Sequence, residues 1–459
     1  MLKMLSSWFT VLGLAIVVAL APAQSCAATP TLTTLVSFDS TDIPIPTGLV
    51  VDASGNLFGT APSGGAYGYG AVIEIAKTTK GYTLTTLYNF CAQAGCIDGA
   101  FPLTGLVVDT NGNLLGTTRA GGAAYIQDGS VFEIAKTSSG YAKAITTLFS
   151  FGLNVSASPS SGLIADAKGN LFGTAITSGA SLVFEVTKAS SGYASTPTWL
   201  PDLLCEGSAG RLTVDADGNL FGATNQIRPF CNQFGSVVEI AKTSSGYSNP
   251  TTLYSFCAQP GCIDGAYPTA GLVVDANGNL FGTAGGGAYG YGMVFEIAKG
   301  SSGYASTPTT LYSFDGTDCA GPSGLVVDVN GNLFGTASHG GAYGYGTVFE
   351  IAKTTNGYAN TPTILVSFNL ADGAYPGGLV ADANGNLFGT TGVGTVFEIT
   401  GSGFVVPVTL AGTPGKANCH GKSVSALARK YGGLNGAAAA LGYASVETLQ
   451  NAILDFCEG

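Results

Sequence analysis

The sequence predicts an all-β protein: a seven-bladed β-propeller of four-stranded blades, closed by an N-terminal strand and followed by a small C-terminal α-helical module. A motif of the form GLVVDxxGNLFGT recurs seven times, at intervals of 48 to 61 residues. Each unit holds four short strand-like runs, and seven units of four strands are typical of a propeller. The composition agrees, because 46% hydrophobic residues, 10% charged residues and 69 glycines favour short strands joined by tight turns.

The four runs of each unit are named A (GLVVD), B (NLFGT), C (VFEI) and D (from a Gly-Tyr pair to Leu-x-x-Phe). Run D carries prolines beside polar residues, which are tolerated mainly at sheet edges, so we expect D to be outermost. An extra D-like run, Thr31 to Phe38, precedes the first unit, and the last unit stops after run C at Ile399. The N-terminal run should therefore complete the last blade within a propeller of residues 31–404. A β-solenoid is the alternative, but its coils are usually much shorter than these units.

Residues 1–23 predict a signal peptide. Lys3 supplies a positive start, Trp8 to Leu20 form an uncharged apolar stretch, and Ala21-Pro22-Ala23 offers small residues for cleavage before Gln24. The apolar run is shorter than the roughly 20 residues of a membrane span. An uncleaved anchor is the alternative, and Cys26 leaves lipidation open. We expect an exported monomer, periplasmic, secreted or on the cell surface, with no membrane span in the mature chain.

The fifth unit, Gly271 to Ile297, has the sequence GLVVDANGNLFGTAGGGAYGYGMVFEI. It resembles the GloVer-type tandem repeat of exported bacterial proteins, and the resemblance covers residues 31 to 400. The resemblance implies a propeller-like fold and an exported or surface location. It supplies no catalytic residues that can be transferred to this chain.

Residues 405–459 differ from the repeats and predict a small helical module. Ser423 to Tyr431, Leu434 to Leu441 and Val446 to Phe456 are the expected helices, with Ser445 as an N-cap. The role of this module is left open.

The ten cysteines predict four disulfides, which export permits. Two bridges lie in matching CAQxGCIDGA loops, one joins two loops of a single face, and one brackets the helical tail. The predicted pairs are Cys91–Cys96, Cys257–Cys262, Cys205–Cys231 and Cys419–Cys457. Zinc binding is the alternative for these residues. Cys26 and Cys319 should lie on opposite faces and are predicted not to pair.

The repeated acidic residues are predicted to be structural. One Asp per unit opens an Asp-x-x-Gly-Asn turn between A and B, where its side chain caps its own turn. Calcium is the alternative at Asp215-Ala216-Asp217-Gly218-Asn219, although the other ligands of an EF-hand loop are missing. One Glu per unit recurs in run C and is also expected to belong to the scaffold.

Catalytic residues, a metal site and a cofactor are not predicted. The only histidines are His339 and His420, which disfavours a Ser-His-Asp triad or a multi-histidine metal site. A net charge of −11 argues against a nucleic-acid partner, which would require basic residues.

The predicted working face is the one that carries the D–A and B–C loops. Antiparallel strands place these loops on one face and the uniform A–B and C–D turns on the other. The variable loops carry Asp98, Asp264 and Asp372, and seven tyrosines: Tyr67, Tyr69, Tyr125, Tyr289, Tyr291, Tyr343 and Tyr345. The chosen ligand-binding candidates are Tyr289, Tyr291, Tyr343, Tyr345 and Asp264. The alternative is that the tyrosines pack between blades.

Two functions are compatible with these patterns. The favoured one is an exported binding or scaffold propeller for an extracellular glycan or another cell-envelope polymer, because aromatic planes beside carboxylates suit sugar rings. The alternative is a glycan-active hydrolase or lyase, which would need two carboxylates across a cleft.

Overall fold

The computed structural model describes most of the repeat region and two segments of the tail. The described residues are 29–38, 46–103, 105–122, 128–152, 157–177, 181–201, 210–224, 234–268, 270–317, 319–406, 419–431, 434, 437 and 445–458. The predicted signal peptide, Cys26 and the predicted Cys205–Cys231 bridge lie outside them.

Seven antiparallel sheets of strands A to D form the seven predicted blades, so the predicted fold is confirmed. The A strands of neighbouring blades contact one another, which places them around the centre of the ring and the D strands at its rim.

Positions A, B and C are occupied in every blade by one strand or by two short strands in line. The A strands are Leu49–Val51, Ala100–Pro102 with Val107–Val108, Ser158–Pro159 with Ile164–Ala165, Thr213–Val214, Ala266–Pro268 with Val273–Val274, Cys319–Val327 and Pro376–Ala381. The B strands are Leu57–Ala61, Leu114–Ala120, Leu171–Ile176, Leu220–Thr224, Leu280–Gly285, Leu333–Gly340 and Leu387–Thr391. The C strands are Ala71–Thr78, Ser130–Ile134, Ser181–Val186, Ser236–Ile240, Met293–Ile297, Thr347–Ile351 and Thr395–Thr400. The D strands of blades 1 to 6 are Gly81–Asn89, Thr146–Ser150, Thr198–Trp199, Thr251–Ser255, Thr309–Ser313 and Thr363–Ser367.

The ring is closed by the N-terminal strand, as predicted. Thr31–Ser37 pairs antiparallel with Thr395–Thr400, with Thr31 opposite Thr400. This strand is the D strand of blade 7, so the last blade contains both ends of the repeat region and has no unpaired outer edge on its C strand.

In five blades, an aromatic ring of strand C covers the repeated glycine of strand B. In blade 5, a Cβ on Gly282 would lie 2.5 Å from the Cζ of Phe295 in strand C. Strand B is buried along most of its length in every blade, as its apolar sequence predicts. The Phe before this glycine points into the space between blades, so one motif supplies both the sheet core and the interface.

The A–B turns are held by their aspartates. Asp275 accepts the backbone N–H of Asn277 and of Asn279 through Oδ1, and the Asn279 amide through Oδ2. All seven units have this arrangement. The Asp215 carboxylate is therefore bonded within its own turn, at the place where calcium was the alternative interpretation.

A C–D hairpin fills the groove between each of blades 1 to 6 and the blade before it. The short paired strands of these hairpins are Lys136–Thr137 with Gly140–Tyr141, Lys188–Ala189 with Gly192–Tyr193, Lys242–Thr243 with Gly246–Tyr247, Lys299–Gly300 with Gly303–Tyr304, and Lys353–Thr354 with Gly357–Tyr358; in blade 1 they continue the C and D strands. In blade 5 the Tyr304 ring packs edge-on against Phe221 of blade 4 at 5.4 Å, and the Lys299 ammonium lies 3.4 Å from the Asp215 carboxylate.

Blade 7 has no such hairpin, and the segment after its C strand fills the remaining groove. Phe404 packs against Phe334 of blade 6 with ring centroids 5.1 Å apart, as the hairpin tyrosines do elsewhere. The Val405 N–H donates to the Asp328 carboxylate at 3.3 Å, in the place of a lysine. The propeller thus extends through Val405.

The tail contains two described helices, α1 (Cys419–Tyr431) and α2 (Val446–Glu458). The Cys419–Cys457 disulfide joins them, in the predicted pairing. The predicted helix Leu434 to Leu441 lies almost entirely outside the described residues. Within the described part of the chain, no helix is long and apolar enough to cross a membrane.

Candidate functional site

The D–A and B–C loops share one face of the ring, as predicted. The Phe101 N–H of a D–A loop donates to the Tyr69 carbonyl of a B–C loop at 2.8 Å, and the Gly122 N–H donates to Cys96 O at 2.9 Å. Among the described residues, thirteen of sixteen exposed large apolar side chains lie on this face. We call it the aromatic face; its exposed aromatic residues are Tyr67, Tyr69, Phe101, Tyr267, Tyr289, Tyr291, Tyr343 and Tyr375.

Three B–C loops present a tyrosine at their tips. The loops of blades 1, 5 and 6 share the sequence G-A-Y-G-Y-G, and each is closed by a backbone bond such as Gly292 N–H to Gly286 O at 2.9 Å. The tip tyrosines Tyr67, Tyr289 and Tyr343 are 53%, 64% and 60% exposed. They are the most accessible aromatic side chains of the face, which argues against packing between blades for this set.

The second tyrosine of each loop leans towards the next blade. The ring of Tyr291 lies over Gly316, and Tyr345 is half-buried against the blade 6–7 core with its ring 6.5 Å from that of Tyr375. The alternative interpretation, that these tyrosines pack between blades, therefore applies in part to Tyr345. The four tyrosines predicted as ligand contacts divide into two exposed tips and two residues that also support the loops.

Three D–A loops hold an exposed aromatic residue in the left-handed backbone region. Phe101, Tyr267 and Tyr375 have φ of 54°, 51° and 58°. Bulky L-residues rarely adopt this conformation, and such strain tends to cluster at functional sites. The same position of blade 6 is Gly321, at φ 64°. Glycine therefore fits this corner without strain, yet three blades retain an aromatic ring there.

Each of these strained residues is positioned by the blade before it. The N–H groups of Phe101, Tyr267 and Tyr375 donate to the carbonyls of Tyr69, Phe234 and Tyr345, respectively, at 2.7–2.8 Å. The ring pairs Tyr69–Phe101 and Phe234–Tyr267 are 5.5 and 5.8 Å apart. Neighbouring blades thereby build aromatic pairs on this face.

The two CAQxGCIDGA loops are fixed by a disulfide and a buried aspartate. Their bridges are Cys91–Cys96 and Cys257–Cys262, the predicted pairs. Asp264 is 6% exposed and accepts the Tyr254 hydroxyl and the N–H groups of Ala258 and Gln259. We expected Asp264 to contact a ligand, but its carboxylate is buried and bonded inside the loop. Its role in the site is to position the loop.

A pocket of about 540 Å³ opens beside Phe101. It is lined by Pro62, Phe101, Leu103, Arg119, Ala120 and Ser158. Sequence reasoning missed both Phe101 and Arg119. The available signals were the aromatic residue in Asp-Gly-Ala-Phe-Pro and an arginine at the end of strand B, where most other units have small or uncharged residues.

The single histidine of the repeats lies on the same face. His339 is exposed; its Nδ1 lies 2.8 Å from the Ser338 hydroxyl, and its ring is 5.2 Å from that of Tyr375. Cys319 is buried, with its Sγ 2.9 Å from the Thr347 hydroxyl. The described residues contain no group of three or more acidic, histidine or cysteine side chains that could hold a metal ion.

Residues 16–226 and 207–448 match the model of the Gloeobacter/Verrucomicrobia repeat, so together the two matches span most of the chain. The chain belongs to this repeat family. The resemblance predicted from the fifth unit is thereby confirmed. No curated protein matches this Gloeobacter/Verrucomicrobia repeat chain.

Two solved structures show the same fold as this repeat protein. Virginiamycin B lyase from Staphylococcus aureus is 14% identical, with a TM-score of 0.52 over 81% of this chain and 99% of that one. A streptogramin B lyase is 14% identical, with a TM-score of 0.53 over 82% and 98%. At this identity the likeness concerns the fold alone. Three disulfides among the described residues indicate an oxidising, exported environment.

Proposed function

We propose that this protein is an exported binding propeller that holds a glycan, or a similar uncharged polar polymer of the cell envelope, on its aromatic face. The main support for this proposal is that three exposed aromatic residues, Phe101, Tyr267 and Tyr375, occupy the left-handed backbone region. Folding alone favours glycine at such positions. A ring that interacts with a ligand gives a reason for the strained residue.

The surroundings of these rings suit sugars. Flat aromatic faces can stack on the C–H faces of sugar rings, and the Arg119 guanidinium and Ser158 hydroxyl beside Phe101 can hydrogen-bond sugar hydroxyls. Rigid loops also reduce the ordering cost of binding. The D–A loops that carry Phe101 and Tyr267 are held by disulfides and buried aspartates.

Binding is favoured over hydrolysis because of the state of the carboxylates. Asp98 and Asp264 are buried and bonded within their loops, and Asp372 accepts the Asn369 N–H. Glycoside hydrolysis requires two carboxyl groups facing one cleft. These three aspartates, the acids of the Asp-Gly-Ala motifs, are committed to structure.

The test is a screen of the mature protein against a glycan array and cell-wall fragments, followed by titration of the ligand found. Replacing the tip tyrosines Tyr67, Tyr289 and Tyr343 by Ala should weaken binding at least tenfold, since stacking is worth about 0.5–1.5 kcal/mol per ring. The melting temperature should hardly change because the rings are mostly exposed.

Val329→Ala is the matched control, because Val329 is 51% exposed but lies in an A–B turn on the opposite face. Unchanged affinity in the triple variant would exclude the tips as contacts. Unfolding of the triple variant would show that they belong to the scaffold. If no glycan or envelope fragment binds, the proposed ligand class is wrong.

A further inference from the structure

Blade 4 carries an arginine where the other six blades have glycine. In six units a glycine stands in or beside the A strand, four residues before the turn aspartate. In unit 4 the residue four places before Asp215 is Arg211. The six glycines lie close together at the centre of the ring. A Cβ on Gly324 would lie 3.3 Å from Gly378 Cα, and one on Gly105 would lie 3.3 Å from Gly162 Cα. The glycines leave room that Arg211 partly occupies.

The Arg211 side chain extends from blade 4 along the inner strands of blades 2 and 3. Its Nη2 donates to the Leu163 carbonyl at 3.3 Å, and its Nε would lie 3.5 Å from a Cβ on Gly105. Beside it is a cavity of about 490 Å³, lined by Arg211 and by the inner strands of blades 5, 6 and 7 around Gly271, Gly324 and Gly378. This volume is in the range of small-molecule sites.

Among the described residues, no carboxylate compensates the charge of Arg211, because no acidic side chain lies at ion-pair distance from it. Arg211 is exposed, but to the cavity, and the protein around it desolvates the guanidinium and lowers its pKa. It stays protonated, since an arginine is charged at any physiological pH. A cation on the wall of a largely apolar cavity attracts an anion that enters that cavity, so a bound anion would be stabilised there.

The other cavity walls are aliphatic side chains, Thr213 and strand edges. Each A strand pairs with its B strand on one side, so its other edge directs backbone N–H and C=O groups towards the centre. Such walls suit a compact organic molecule that carries one anionic group. A highly charged or polymeric ligand would meet only one cation.

We propose that Arg211 and the central cavity bind the carboxylate of a small organic acid. The planar guanidinium fork matches a carboxylate, and charge-assisted bonds of this kind are among the strongest in proteins. Leu163 O accepts one N–H and thereby orients the fork, and no other described residue accepts a hydrogen bond from the guanidinium. The site shares no residue with the aromatic face, so it is independent of the proposed polymer binding.

The test uses the mature full chain with sodium acetate, propionate and glucuronate, and with sodium chloride and sulfate at equal ionic strength as comparison. At least one carboxylate should raise the melting temperature with increasing concentration and bind measurably by calorimetry. Arg211→Gly, which restores the residue of the other blades, and Arg211→Gln should weaken that binding at least tenfold, the loss expected for a charge-assisted bond of about 1.5–3 kcal/mol. Arg211→Lys should retain part of it, because lysine keeps the charge without the fork.

Lys143→Gln is the control for the loss of one positive charge, since Lys143 is exposed on the outer side of blade 2. Its affinity should equal that of the wild type. Equal binding by wild type and Arg211→Gly would overturn the proposal, as would the absence of a response to all three carboxylates. An equal response to sulfate or chloride would overturn the carboxylate assignment. If Arg211→Gly and Arg211→Gln both fail to fold, Arg211 is a structural residue and the proposal is wrong.

Discussion

Replacing Phe101, Tyr267 and Tyr375 together by glycine should give a more stable protein than replacing them by alanine. Both triple variants lose the same three rings, so their stabilities differ only through the backbone strain of alanine and the chain entropy of glycine. An L-residue in the left-handed region costs roughly 1–2 kcal/mol. Glycine loses about 0.5–1 kcal/mol more chain entropy on folding than alanine does. The balance favours glycine by about 0.5–1 kcal/mol at each site.

The three sites lie in separate D–A loops, so their effects should add. The triple-glycine protein should then be about 2 kcal/mol more stable than the triple-alanine protein. Thermal and urea unfolding of both variants measure this difference. Neither variant should bind the glycan that the wild type binds, so stability and binding should separate.

The control is Tyr289, which is exposed and not among the residues with positive φ. There Tyr289→Ala should be at least as stable as Tyr289→Gly, the usual order for these residues. The reasoning about strain is refuted if the triple-alanine protein equals or exceeds the triple-glycine protein in stability, whatever the binding results show.

Two further predictions concern the scaffold. Gly282→Ala should destabilise the fold by about 1–3 kcal/mol through overpacking, because the new Cβ would lie 2.5 Å from Phe295. Gly222→Ala should be nearly neutral in the same melting assay, since its nearest neighbour lies at 3.3 Å; equal costs would contradict the packing argument. Burial and Asp328 raise the pKa of Glu350, so its contribution to stability is present below the unfolded-state pKa and is lost as the pH rises through the folded one. Glu350→Gln should therefore raise the melting temperature slightly at pH 7 but not at pH 4. The gain should exceed that of Glu296→Gln, because burial also raises the pKa of Glu296 but the charge of Lys353 opposes that rise. A gain that does not depend on pH would count against this cause.

The repeat made the fold predictable, because the same order of four strands occurs in seven successive units. The closure by Thr31–Ser37 could be predicted because an extra D-like run precedes the first unit and the last unit lacks its own run D. Phe404 could not be predicted in this way, since a single aromatic residue outside any repeated motif fills the seventh groove. Only the packed ring shows that this groove needs an aromatic side chain.

The candidate site was predictable in location but less so in its residues. Loop variation and tyrosine content identified the aromatic face. The burial of Asp264 was not visible in the sequence, because it depends on the loop folding back on itself. Arg211 is easily overlooked in the sequence, because Gly210 stands directly before it, five residues before the turn aspartate instead of four. Aligning the units on their aspartates places the arginine at a glycine position.

The contacts that join the blades lie mainly on the face opposite the aromatic face. Strained residues persist only where the surrounding structure over-determines them. On the face opposite the aromatic face, each blade is linked to the next by the C–D hairpins and, in the last groove, by the Phe404 segment. The hairpin lysines and tyrosines contact the turn aspartates and the aromatic rings of the neighbouring blade. These links do not depend on the D–A loops, so those loops can carry strained rings without loosening the ring of blades. In a chain of near-identical units, residues that the scaffold does not require, and that glycine could replace with less backbone strain or crowding, are good indicators of function. Arg211 stands where six units have glycine, and Phe101, Tyr267 and Tyr375 keep an aromatic ring at a left-handed position that is glycine in blade 6.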